Sequence, residues 1–176
     1  MIGRVRQFLT AVTARMTPAY RDLVNHWLTP AERELFYAMD EIDQVHACRV
    51  ALTAAELASN LPPADVNCTF LMKCALLHDV GRVRGDLGLW GKVFAVLMAK
   101  YLPEQAKRIM KPVVRSWRDV PGHVMYVYRH HPAIGAAKLR HLGYTREADI
   151  IERHHERPEA GEPVELTLLR EADGRN

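Results

Sequence analysis

Apolar positions along the chain recur with a helical period, and proline and glycine mark the breaks between the periodic stretches. Arg4 to Met16 reads as a basic amphipathic opening. Thr17-Pro18 and Thr29-Pro30 each read as a helix start, with threonine as N-cap and proline at the first helical position. From Pro30 a long helical pattern runs to about Asn60 with a break near Asp40. Its apolar stripe is Ile42, Val45, Val50, Leu57 and a row of alanines, and Pro62-Pro63 ends it. Asn67 to His78 is apolar on nearly every side (Phe70, Leu71, Met72, Cys74, Ala75, Leu76, Leu77), so this helix belongs at the centre of the fold. Further helices are predicted over Gly88–Tyr101, Pro103–Lys111, Pro121–His130, Pro132–Leu142 with Gly143 as C-cap, Thr145–His155 and Glu162–Ala172. The pattern contains no strand alternation and no internal repeat. It predicts an all-α helical bundle with one domain, in which residues 1–40 form an N-terminal helical extension packed on a core over 41–176.

Composition narrows the class. At 176 residues, with 48% hydrophobic and 26% charged side chains, the chain can bury one sizeable core and is not disordered. A net charge of +3 does not by itself point to nucleic acid, and DNA is not expected as a partner. Cys48, Cys68 and Cys74 are odd in number and lack metal-ligand spacing. The first ten residues lack the apolar run of a secretory leader, so a reduced, cytoplasmic location is expected. In the most membrane-like stretch, Leu87 to Leu102, Lys92 and Lys100 interrupt the apolar run, which is far below the ~20 residues that span a bilayer.

Metal-liganding side chains recur at helix ends: His46, His78-Asp79, His131, His154-His155 and Asp173. A lone histidine on a helix is ordinarily a surface or a satisfied core residue. His78-Asp79 differs, because it closes a strongly apolar helix where an unpaired charge is costly to bury. A carboxylate in that position calls for a cation, and the adjacent imidazole offers a second donor to it.

These segments resemble the HD superfamily of metal-dependent phosphohydrolases, with the HDIG-type subgroup the nearest in pattern. The resemblance rests on Val45-His46-Ala47-Cys48-Arg49, on Ala75-Leu76-Leu77-His78-Asp79-Val80-Gly81-Arg82, and on His130-His131-Pro132-Ala133-Ile134-Gly135. It continues through Ile150-Ile151-Glu152-Arg153-His154-His155 and closes at Glu171-Ala172-Asp173. It implies an HD domain over 41–176 and one or two divalent transition metals (Fe, Mn, Co or Zn). His46, His78, Asp79 and Asp173 would be the ligands of a first metal. Asp79 would bridge to a second, bound also by His131, His154 and His155. Imidazole with carboxylate suits such ions better than Ca, and a metal pair can activate a water for in-line attack on phosphorus. Asp79 and Arg82 are the implied catalytic residues, Arg82 standing where the pattern usually has lysine and offering a bidentate fork to phosphate. The implied partner is a phosphorylated small molecule of the nucleotide type; dinucleoside polyphosphates, nucleoside monophosphates and alarmone nucleotides are the classes considered. Ile42 occupies the place of a glutamate found in some dinuclear relatives, with Asp43 beside it, and no Gly-Tyr-Pro follows His155, which argues against cyclic di-GMP. The competing readings are a non-catalytic HD-fold signalling or scaffold module and a di-iron oxygenase.

Other residues carry weaker expectations. Arg84, Lys138 and Arg153 are either phosphate contacts or solvated. Trp90, Trp117, Tyr126 and Tyr128 are helix-packing residues unless they stack on a base. His26, His123 and His141 are surface residues, and Arg49 either steadies a carboxylate or is solvated. Gly85 to Gly122 should border the metal cavity or form a homodimer surface.

Overall fold

The threonine–proline pairs open helices, as their chemistry dictates. The computed structural model describes residues 15–176, so nearly all of the predicted Arg4–Met16 helix lies outside the described residues. Thr17 caps α1 (Pro18–Trp27), its Oγ1 accepting from the Tyr20 N–H at 3.2 Å. Thr29 and Glu32 form a reciprocal capping box on α2 (Pro30–Tyr37). Asp40 has extended backbone and opens α3 (Glu41–Ser59), which is the break the pattern predicted. Asn67 caps α4 (Cys68–Leu77), whose Phe70, Leu71, Met72, Cys74, Ala75, Leu76 and Leu77 are all buried. That helix is central: it packs against α1, α2, α3, α8 (Thr145–Arg153) and α9 (Val164–Arg175). Among the described residues there is no strand, and the fold is all-α.

Several helix ends shift by two or three residues, and one predicted break is absent. Pro121–His130 and Pro132–Leu142 are a single helix, α7 (Val120–His141), with Pro132 inside it. Proline has no N–H to give the carbonyl four residues back, which is Tyr128's. His131 Nδ1–H takes that carbonyl instead, at 3.0 Å, so no backbone acceptor is orphaned and the helix continues.

α7 joins two apolar clusters. Its second half puts Ala136 and Leu139 into the main core with α3, α4, α8 and α9. Its first half puts Val124, Met125 and Val127 against α5 (Gly88–Tyr101) and α6 (Pro103–Ile109) in a smaller core with Leu87, Ala95 and Ala106. His131 and Pro132 therefore stand where the two cores meet. No helix among the described residues is long and apolar enough to cross a membrane.

Two glycines bring the His78-Asp79 turn against α7. A Cβ on Gly81 would stand 1.9 Å from the His131 carbonyl oxygen, and one on Gly135 would meet the Gly81 nitrogen at 3.1 Å. Only glycine at these places lets backbone lie on backbone.

Candidate metal centre

α4 ends at Leu77, which leaves the Ala75 carbonyl free; His78 Nδ1–H donates to it at 2.8 Å. α8 ends at Arg153, and His154 Nδ1–H likewise donates to the Ile151 carbonyl, at 2.6 Å. With His131 on Tyr128, three imidazoles share one device: a backbone carbonyl three residues back holds the proton on Nδ1. Nε2 of each ring is left as a lone-pair donor, which is the tautomer a metal ligand needs. His131 carries an independent mark of the same tautomer. Arg82 donates to its Nε2 at 3.1 Å, and a guanidinium can only donate.

Two of these rings face Asp79. His131 Nε2 lies 3.2 Å from Asp79 Oδ1, and His78 Nε2 lies 3.5 Å from Asp79 Oδ2. His78 also reaches Asp173 Oδ1 at 3.7 Å, and His46 Nε2 is 3.0 Å from the same oxygen. His154 and His155 complete the ring: their imidazole centroids are 4.0 Å apart, His154 is 5.3 Å from His78, and His155 is 5.1 Å from His131. The potential donor atoms form two triads, His46/His78/Asp79 and His131/His154/His155, each with all three atoms within 4.8 Å of one another. The structure thus brings together every side chain that the sequence singled out for a metal. Asp173 belongs to that group although it lies three residues from the end of the sequence. α9 packs on α3, and Asn176 Nδ2–H donates to Thr53 Oγ1 at 2.9 Å, which ties down the last turn.

The centre of the cluster is buried and short of partners. His78, Asp79, His131 and His154 are each at most 2% exposed, yet His78 Nε2, His154 Nε2 and Asp79 Oδ1 have no hydrogen-bond partner among the described residues. Buried polar atoms left without partners are costly, and three within one cluster of metal-liganding side chains ask for a cation. The donor set of imidazole nitrogen and carboxylate oxygen fits a borderline transition metal.

Electrostatics agree. Burial works against a charge on Asp79, but Arg82 above all, then His78, outweighs it and holds the carboxyl well below the usual range. Burial likewise opposes charge on Asp173, and the hydrogen bond from His46 reverses this, so the carboxyl stays ionised. Burial, reinforced by His78 and His155, pushes His154 far down. Burial and then His131 bring His155 to about 4. At neutral pH Asp79 and Asp173 are therefore ionised and His154 and His155 neutral, the states in which these groups bind metal.

Arg82 is the cation already in place. It donates to Asp79 Oδ2 at 2.6 Å as well as to His131 Nε2, and the same nitrogen that holds Asp79 stands 3.5 Å from Asp43 Oδ1. Asp43, 2% exposed in the first turn of α3, also accepts from Lys92 of α5. The motif pattern gives Asp43 no role; its place on the buried face of α3, one turn before His46, is the signal that marks it. Nothing local marked Lys92, since the pair spans 49 positions.

A cavity of about 520 Å³ opens beside the cluster. Arg82, His131 and His155 line it from one side, and Lys107, Met110 and Arg129 from the side of α6 and α7. The 85–122 segment thus borders the cavity. Other expectations change. Lys138 is partly buried, and its Nζ donates to the Val80 carbonyl at 2.9 Å, which steadies the His78-Asp79 turn. His123 is not a plain surface residue, its Nε2 lying 3.2 Å from Asp86 Oδ1. Arg153 is committed to Glu156 and Glu159. Tyr126 and Tyr128 pack on the smaller core, whereas Trp90 and Trp117 are 77% and 78% exposed and pack between no helices.

No curated protein and no solved structure matches the chain. The model of the HD domain matches residues 44–175, from α3 through the last turn of α9. That span contains all the clustered side chains, and the chain belongs to the HD domain family.

Proposed function

We propose that the protein is a metal-dependent phosphohydrolase that cleaves a phosphate ester or anhydride of a nucleotide-like substrate. One observation carries the reading: His78 and His131, with Nδ1 pinned by backbone carbonyls, turn Nε2 onto one ionised, buried aspartate, and His154, pinned the same way, packs against both rings. His46, His78, Asp79 and Asp173 would hold one divalent ion, and Asp79, His131, His154 and His155 a second; Fe, Mn, Co and Zn suit these donors. A metal bound there supplies Lewis acidity and a water acidic enough to attack phosphorus at neutral pH.

The rest is done by the chain itself. Asp79 belongs to one donor triad and reaches the other at His131 through Oδ1, and its second oxygen is held by Arg82. Arg82 lines the cavity and would offer its fork to a phosphate oxygen. Asp43 and Lys92 position Arg82, keeping its charge at the cavity wall. Lys107 and Arg129 take further phosphate charge. Met110, Met125 and Tyr128 receive the organic group, with the Tyr128 ring as the surface for a base. In this reading residues 41–176 are the HD domain and 1–40 an extension on it.

The test is phosphate release by protein reconstituted with Fe or Mn from a panel of nucleoside monophosphates, dinucleoside polyphosphates and alarmone nucleotides. Hydrolysis of at least one class, abolished by Asp79→Asn, is expected. A metal-loaded protein that hydrolyses none of them would overturn the reading and leave a binding module or an oxygenase.

A further inference from the structure

The insert between the His78-Asp79 turn and α7 has a surface that neither the fold nor the cluster explains. On α5, Trp90, Leu97 and Tyr101 are 77%, 50% and 65% exposed. At 3.6 residues per turn these three positions fall within ~40° of one another, so they form one stripe. Beyond α6, Val113, Val114 and Trp117 are 58%, 44% and 78% exposed. Scattered exposed apolar residues mean little, but these six fall in one insert, three on one face of α5 and three within five consecutive positions after α6.

The same insert concentrates positive charge. Residues 88–120 hold seven lysines and arginines against two acids, a net +5, which leaves −2 for the rest of a chain whose total is +3. Lys92, Lys107 and Lys111 are paired with Asp43, Glu104 and Asp119. Lys100, Arg108, Arg115 and Arg118 are exposed and have no carboxylate partner among the described residues. Two of them lie beside the exposed rings: Lys100 Nζ is 5.2 Å from the Tyr101 ring, and Arg118 is 5.4 Å from the Trp117 ring.

We propose that the α5–α6 insert docks the protein onto the surface of a bilayer containing anionic phospholipid. Such a surface takes both halves of this chemistry: tryptophan and tyrosine settle at the headgroup level, aliphatic side chains at the acyl boundary, and lysine and arginine on lipid phosphates. A second copy of the chain fits less well, because a two-fold interface sets each patch against itself and cation would face cation. A nucleic-acid backbone would use the cations and leave Leu97, Val113 and Val114 without a role. Ala99, Pro103, Ala106 and Met110 of the same insert line the cavity, so docking sets the cavity beside the headgroup layer. The proposal does not depend on the hydrolase reading.

The test is flotation of the full chain with vesicles of phosphatidylcholine alone and of phosphatidylcholine mixed with phosphatidylglycerol. Binding to the mixed vesicles only, weakened by added salt, is expected. The triple variant Trp90→Ser/Leu97→Ser/Tyr101→Ser and the double variant Arg115→Glu/Arg118→Glu should each lower the bound fraction at least about tenfold while circular dichroism shows unchanged helix. Three results would overturn the proposal: wild type that stays with the soluble fraction, either variant floating like wild type, or a wild-type dimer that the serine variant splits into monomers.

Discussion

Pro132→Ala separates the stability of α7 from the quality of the cluster. Proline inside a helix costs up to about 3 kcal/mol relative to alanine. The substitution also removes two buried ring carbons, worth about 1.6 kcal/mol of burial. Metal-free protein should therefore be more stable by roughly 1 kcal/mol, a rise in Tm of about 2–4 °C for a chain of this length. The backbone N–H that the substitution creates, however, reaches for the Tyr128 carbonyl that His131 Nδ1 now holds at 3.0 Å. Losing such a support to a ligating histidine typically costs about 10–100-fold in metal affinity. The low end, about tenfold or 1.4 kcal/mol, is expected because a carbonyl has a second lone pair to offer. Calorimetry of the metal-free protein and competition with a chromogenic chelator give the two numbers. Unchanged affinity with a raised Tm would refute the role assigned to the Tyr128 carbonyl. A Tm lowered by several degrees would show that ring packing dominates instead.

Gly81→Ala drives a Cβ to 1.9 Å from the His131 carbonyl oxygen; it should cost about 3 kcal/mol, lower Tm by about 6–12 °C and weaken metal binding, as read by thermal melting and metal titration. Arg82→Ala removes the cation that occupies Asp79 and His131, so affinity for Mn should rise in a calorimetric titration while the turnover of any hydrolysed substrate falls. Glu32, fully buried, bonds Lys73 Nζ at 2.9 Å and caps α2; Glu32→Ala should cost about 3 kcal/mol in denaturant unfolding, while Glu32→Ala/Lys73→Met recovers part of that loss and metal content stays at the wild-type value in both.

Features that local chemistry decides are legible in the sequence. Thr17-Pro18, Thr29-Pro30 and the apolar α4 are readable because caps and periodicity act over a few residues. Pro132 misleads because proline at a first helical turn and proline inside a helix look alike until the fate of the freed carbonyl is known. The seven side chains of the cluster are named by motif resemblance, and their meeting depends on α3, α4, α7, α8 and α9 packing together, which no single segment encodes. The Asp43–Lys92 pair and the Lys138 bond to Val80 are invisible for that reason: each spans about fifty positions or more and has no local signature. Trp90 and Trp117 read as packing residues because large aromatics usually bury; only the structure shows them facing outward.

The central claim is that the buried cluster around Asp79 holds transition metal. The most direct measurement is elemental analysis of protein purified without chelator or metal-affinity resin, beside an Asp79→Ala variant shown to be helical by circular dichroism. One to two equivalents of Fe, Mn, Co or Zn per chain, lost in the variant, are predicted. A chain that carries no metal and takes up none on anaerobic reconstitution with Fe or Mn would contradict it.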